Sequence, residues 1–199
     1  MTGRHGRRTR WLLARHGQSV ANDGQWLSGH TDVDLTLRGE AEARALGEQL
    51  RPHRIVHVVS SDLTRAARTA RIALEDRPHA LVTDAALRER DLGAWTGWTV
   101  RDLQESGARR VLDHLDGRPP GGESLRDVAC RAMVALGRWD AGEPVLVVSH
   151  GGLMRALLGL VADEVDVERV GRRYVGNAEL AVLDLPLGTW GRVARGLRG

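Results

Sequence analysis

The chain has 199 residues, 42% hydrophobic and 28% charged, which suits a single soluble globular domain with a sizeable core. All 29 basic residues are Arg, so the pI near 10.2 reflects the lack of Lys; a formal charge of +3 gives little support to nucleic-acid binding. A single cysteine, Cys130, excludes an internal disulfide and a Cys-rich zinc cluster, and its helix-like surroundings make an inert thiol the expectation.

Residues 1–9 are expected to form a flexible basic tail, leaving 10–199 as one domain. The apolar run Trp11–Ala14 is too short for a secretory h-region, and nothing approaches transmembrane length, so a cytoplasmic location is expected. A strand over 10–15 runs into Arg15-His16-Gly17, and 18–35 reads as loop. Thr36 caps a helix reaching Arg51, with Ala41, Ala45, Leu46 and Leu50 on one face, and Pro52 ends it. The β-branched run Ile55–Ser60 is a buried strand, followed by a helix over 62–76 capped by Ser61 or Asp62. One or two extended pieces occupy 79–88, a Gly/Trp loop 91–99, and short helices 99–115. After the break at Gly117–Gly122 come a helix at 123–139, a strand at 144–149 and a helix from Gly151 to about Leu160. Strands near 178–185 and 189–195 close the chain. The alternation predicts an α/β fold, a three-layer α/β/α sandwich around a central, mostly parallel sheet.

Three junctions coincide in this pattern. The strand at 10–15 ends in Arg15-His16-Gly17, the strand at 55–60 leads into a helix whose first turn carries Arg65, and the strand at 144–149 ends in His150-Gly151-Gly152. Open α/β sheets bind ligands at the carboxyl ends of strands, and helix N-termini add unpaired N–H donors there. Two Arg and two His at that edge make an anion site, with phosphate the expected anion because the guanidinium fork binds it in bidentate fashion. Each residue alone has a plainer reading, as a chance triplet, a solvated helix residue or a strand end; the shared placement is what argues for a site. The other triplet, Arg4-His5-Gly6, has no strand before it and reads as a coincidence of composition.

The stretches "LLARHGQSVAN", "SSDLTRAARTA", "LRERDLGAWTG", "PGGES" and "VLVVSHGGLMRALL" resemble, in order, those of the histidine phosphatase superfamily, the phosphoglycerate mutase-like family, in its phosphatase branch. The resemblance runs from Trp11 to the C-terminal strands. It implies that His16 is a nucleophile forming phosphohistidine and that Glu89 is the proton donor. Arg15, Arg65 and His150 would hold the equatorial phosphate oxygens, and Asn22 would reach the phosphate as a neutral donor. Physics agrees with the placement of His16: neighbouring Arg side chains disfavour imidazolium, and a backbone carbonyl is expected on the other ring nitrogen. Flanking Arg88 and Arg90 would oppose a protonated Glu89 unless an extended backbone turns them away. Gln18 and Ser28 are expected at the pocket mouth, Gly151 at the helix start, and Ser124 opposite. Trp95 and Trp98 are either a substrate wall or packing.

The implied activity is hydrolysis of small phosphorylated metabolites, with a 2,3-bisphosphoglycerate-dependent phosphoglycerate mutase as the alternative. Residues 90–149 are short for a mutase insert, although Arg109-Arg110 keeps that reading open. A non-catalytic phospho-ligand module would lack His16 or Glu89. No cofactor or metal is expected, and His30, His53, His57, His79 and His114 read as surface or structural. A small phosphomonoester is the expected partner of a monomer or homodimer, with no nucleic acid and no membrane.

Overall fold

The computed structural model describes residues 7–77, 79–161 and 174–198. Its centre is a five-stranded sheet in the order β3-β2-β4-β1-β5. The strands are β1 (Arg8–Arg15), β2 (His57–Ser60), β3 (Leu81–Thr83), β4 (Val145–Ser149) and β5 (Leu180–Pro186). All neighbours are parallel except β5, which pairs antiparallel with β1.

The alternation of side chains along β1 explains the layers. Trp11 and Leu13 face a core shared with α6 (Leu125–Leu136), α7 (Gly151–Val161) and α8 (Thr189–Arg198). Leu12 and Ala14 face the opposite core, beneath α2 (Leu37–Leu50) and α3 (Thr64–Ala73). β4 divides likewise, with Val145 and Val147 on the first face and Leu146 and Val148 on the second. A third, smaller cluster of Leu92, Leu103, Ala108 and Leu112 joins α4 (Val100–Glu105) and α5 (Arg109–Asp113) above the strand ends. The short α1 (Val20–Asp23) completes the helices named here. Among the described residues no helix is long and apolar enough to cross a membrane.

The α/β/α sandwich and mostly parallel sheet agree with the expectation; several boundaries do not. β1 begins at Arg8, because β5 supplies Pro186 and Leu185 as partners for Arg8 and Thr9. Residues 1–6 of the expected tail, with Arg4-His5-Gly6, lie outside the described residues. The expected last strand at 189–195 is α8: Trp190, Val193, Ala194 and Leu197 recur with helical spacing, and all four pack on the first core. α3 starts only at Thr64, and its side-chain cap arrives from a distant loop. Asp32 accepts from the Thr64 N–H (2.8 Å) and from its hydroxyl (2.7 Å), while Asp62 pairs with Arg88.

In the first core, Trp11 and Trp190 meet edge to face, their centroids 5.4 Å apart, and both are fully buried. Trp190→Ala should cost about 3–5 kcal/mol, lowering the urea midpoint, whereas Val134→Ala on an exposed face should move it little. Equal effects would show that α8 does not anchor this core.

Candidate active site

β1 and β4 lie side by side in register, with Arg15 beside Ser149, so both strands end at one level. Their connections then diverge, the chain after β1 passing to α2 on one face and that after β4 passing to α7 on the other. This is the switch point at which an open α/β sheet leaves a crevice. The main chain of His16 is pinned there: its N–H donates to the Ser149 carbonyl (2.9 Å), and its own carbonyl accepts from Ala178 (3.2 Å).

The His16 ring is oriented by its neighbour, with Nδ1 2.7 Å from the Gly17 carbonyl oxygen. A carbonyl can only accept, so Nδ1 carries the hydrogen and Nε2 keeps its lone pair. The ring is 3% exposed, and burial, reinforced by the Arg15 and Arg65 guanidiniums, holds its pKa well below the usual imidazole range. Gly17 is required where it stands, because a Cβ there would collide with the Gly39 carbonyl at the start of α2.

His150 follows β4 and places its ring 5.1 Å, centroid to centroid, from that of His16. It is fully buried, and burial, followed by the charges on Arg65, His16 and Arg15, lowers its pKa as well. Both of its ring nitrogens lack a hydrogen-bond partner, as does Nε of Arg15. Buried polar atoms normally find partners, so the Arg15 Nε–H and the one His150 nitrogen that carries a hydrogen fit an anion that accepts from them. The other guanidinium contacts are to carbonyls: Arg15 donates to Val175 (2.6 Å), and Arg65 to Thr31 and Gly29 (both 2.9 Å).

Glu89 comes from the loop after the 3₁₀ turn Ala85–Leu87. Its carboxylate is held by two main-chain N–H groups, Arg90 on Oε1 (2.8 Å) and Gly152 on Oε2 (3.0 Å). A Cβ on Gly152 would strike Oε1, so the second glycine of His150-Gly151-Gly152 is what admits the carboxylate. The flanking arginines turn away as extended backbone requires: Arg88 pairs with Asp62 (2.6 Å), and buried Arg90 donates to the carbonyls of Glu123, Leu112 and Gly117.

These groups open on a cavity of about 250 Å³ lined by Arg15, His16, Asn22, Ser28, Arg65, Glu89 and Gly151 among others. Asn22 Oδ1 accepts from Ser19 N–H and Oγ (both 3.1 Å) and from Asn177 Nδ2 (3.0 Å), which leaves its own NH₂ as a donor. Three expected residues are not on this wall, the first being His150, which is fully buried with its ring against His16. Gln18 accepts from the Thr36 hydroxyl (2.8 Å) and so ties the loop to α2, and Ser124 is the N-cap of α6, bonded to Asp127. Trp95 and Trp98 stack on each other against the third cluster; Trp26 and Leu27 stand on the wall instead. Arg155, one helical turn past Gly151, is a wall residue the sequence reading does not name, and the i, i+4 spacing on a helix that starts at the site is its signal; Arg109, named there with Arg110 for the mutase reading, also lines the cavity. A larger hollow of about 340 Å³ between the ends of α2 and α3 has Arg44, Arg51 and Arg77 facing Glu48, Glu75 and Asp76, a balanced set unsuited to an anion.

A family model, the histidine phosphatase superfamily (branch 1), matches residues 11–195. The chain belongs to this superfamily. Among curated relatives, the 2,3-bisphosphoglycerate-dependent phosphoglycerate mutase 2 of Gloeobacter violaceus is 39% identical over 171 residues, covering 80% of this chain and 78% of the relative. A mycobacterial glucosyl-3-phosphoglycerate phosphatase, solved with VO3, superposes with a TM-score of 0.78 at 30% identity, covering 89% of this chain and 98% of its own. The α-ribazole phosphatase of Shigella flexneri gives 0.74 at 28%, covering 87% and 89%. The names of these relatives include both phosphatases and a mutase, and the two structures share this chain's fold over 89% and 87% of its length.

The two buried imidazoles impose a stability gradient. Both have pKa values below the 6.5 of a free histidine, so in the window below 6.5 the unfolded chain binds more protons than the folded one. Stability therefore rises with pH through that window and is lost on acidification, by at most about 1.4 kcal/mol per pH unit for each histidine. Urea midpoints in phosphate-free buffer should fall from about pH 7 to about pH 5, with a shallower slope in His16→Gln. An unchanged slope would mean that His16 does not titrate in this way.

Proposed function

We propose that this chain is a phosphomonoesterase acting on small phosphorylated metabolites through a phosphohistidine on His16. The observation that carries this reading is the His16 ring: neutral, its Nδ1–H committed to Gly17, its Nε2 lone pair intact, and the guanidiniums of buried Arg65 and half-buried Arg15 beside it.

In the first step Nε2 attacks phosphorus and the bond from phosphorus to the ester oxygen breaks. The Glu89 carboxyl passes its proton to the departing oxygen. In the second step Glu89, now a carboxylate, takes a proton from water; the water oxygen attacks phosphorus, the N–P bond breaks, and inorganic phosphate leaves. The substrate phosphate would sit in the cavity beside His16 and accept from the partnerless Arg15 Nε–H and from a His150 ring N–H, with Asn22 as a neutral donor. These donors stand in place before charge develops on the equatorial oxygens, so little reorganisation accompanies the step. His16→Ala should abolish release of phosphate from a generic phosphomonoester. Glu89→Gln should slow it by roughly 100-fold or more and let acid-labile phosphoenzyme accumulate. Full activity in His16→Ala would overturn the mechanism.

One observation favours a second reading. Arg109 and Arg155 both line the cavity, bracketing Asp113 (2.9 Å to Arg109, 3.8 Å to Arg155), and such cations could grip a substrate carboxylate as a phosphoglycerate mutase requires. Incubation with 3-phosphoglycerate and 2,3-bisphosphoglycerate separates the two: a phosphatase liberates inorganic phosphate, and a mutase yields 2-phosphoglycerate with little phosphate release.

A further inference from the structure

Glu89 sits on a segment between the 3₁₀ turns Ala85–Leu87 and Gly93–Trp95 that has no helix or strand hydrogen bonds of its own. A proton donor must nevertheless meet the departing oxygen to within a fraction of an ångström. The stiffness comes from other elements. Arg131, in the middle of α6, spreads its guanidinium over three carbonyls of this segment: Nη1 donates to Ala86 (2.7 Å) and Arg88 (2.9 Å), and Nη2 to Glu89 (2.8 Å). The other edge of the same guanidinium forks onto Glu123, Nε to Oε1 and Nη2 to Oε2, both at 2.8 Å. Glu123 in turn accepts from the Asp91 N–H (2.9 Å) and donates its own N–H to the Asp91 carbonyl (2.9 Å). From the other side, His30 Nε2 donates to the Glu89 carbonyl (2.7 Å).

One peptide group links this clamp to the chemistry. The carbonyl of Glu89 and the N–H of Arg90 belong to the same planar unit. Arg131 and His30 both hold its oxygen, and its N–H is one of the two donors that hold the Glu89 carboxylate. Tilting that plane moves the carboxylate. The remaining donor, the Gly152 N–H, contacts the other oxygen and leaves the carboxylate free to swing about it.

We propose that Arg131, with Glu123 and His30, is a positioning residue for the Glu89 carboxyl, fixing the Glu89–Arg90 peptide plane and through it the direction in which the proton is delivered. The proposal rests on the reading of Glu89 as proton donor given above. It assigns a role to the "PGGES" stretch that differs from the expected one, since Glu123 contributes through this ion pair while Ser124 only caps α6.

A leaving-group comparison tests it, because kcat/KM covers only the steps through departure of the alcohol. p-Nitrophenyl phosphate expels an oxyanion that needs no proton near neutral pH, whereas glycerol 2-phosphate expels an alkoxide that does. Arg131→Lys keeps the charge but loses the fork. It should lower kcat/KM for glycerol 2-phosphate by about tenfold or more while that for the aryl ester stays within about twofold. The inhibition constant of inorganic phosphate should be unchanged. His30→Ala should show the same preference in weaker form, and Glu123→Gln carries the test if Arg131→Lys does not fold. A fall of equal size on both esters, in folded variants, overturns the proposal in favour of general structural support. Glu89→Gln is the control: if it shows the ester-dependent loss and the Arg131 and Glu123 variants do not, positioning alone is wrong. If Glu89→Gln shows none, the donor assignment fails and the proposal falls with it.

Discussion

The pairing of β1 with β4 is the constraint on which the site depends. Their parallel register ends Arg15 beside Ser149, and the next residue of each strand is a histidine. The bond from the His16 N–H to the Ser149 carbonyl extends the ladder by one rung beyond the sheet, so two rings from distant parts of the chain face each other across 5.1 Å. Since the connections leave on opposite faces, neither α2 nor α7 covers the gap between the strand ends. The cavity is thus a consequence of topology before it is a consequence of side chains.

Charge is the second determinant. Burying several arginines at one place is costly unless their donors are satisfied, and satisfying them with carboxylates would cancel the field that an anion needs. This chain uses carbonyl oxygens instead. Arg65 bonds Thr31 and Gly29, Arg15 bonds Val175, and Arg90 bonds three more, so the hydrogen bonds are made while the positive charge remains. Carboxylate partners go to arginines beyond these three: Arg10 with Asp184 and Arg68 with Asp34 and Glu40 on the surface, and the half-buried Arg131 with Glu123 and Arg155 with Asp113. The guanidinium fork can reach several carbonyls at once, which an ammonium cannot do with the same fixed geometry; that fits a chain whose cations are all Arg.

Much of this was legible in the sequence, and the gaps have physical causes. His16, Arg15, Arg65 and His150 could be placed together because strand ends carry their position in the local pattern. Asn22 and Glu89 needed the family resemblance, since nothing about a loop asparagine or a Glu among arginines marks a pocket. Ser124 and Gln18 sit beside the right motifs, yet an N-cap hydroxyl and a loop amide are claimed by nearby backbone and side-chain partners before any ligand. His30 looked structural and is so in the literal sense, holding the carbonyl of Glu89; a contact across 59 residues leaves no trace in local spacing. The helix at Thr189–Arg198 was misread because a short window with Gly and Val hides a period of 3.6 that only Trp190 and Leu197 together reveal.

The turn after β4 shows why the motif His150-Gly151-Gly152 is so compact. Three consecutive residues touch three different parts of the site: the His150 ring packs against His16, a Cβ on Gly151 would lie 3.3 Å from Arg15 Cζ, and Gly152 hydrogen-bonds Glu89. A longer or bulkier turn would separate the ring from the amide and move the Glu89 carboxyl relative to the His16 ring. Because all three positions are fixed by the first turn of one buried helix, the distance between the lone pair of His16 and the carboxyl of Glu89 depends on how α7 seats against the sheet. Packing of Leu153, Met154 and Leu157 beneath that helix therefore sets the geometry of the cavity although none of them touches it.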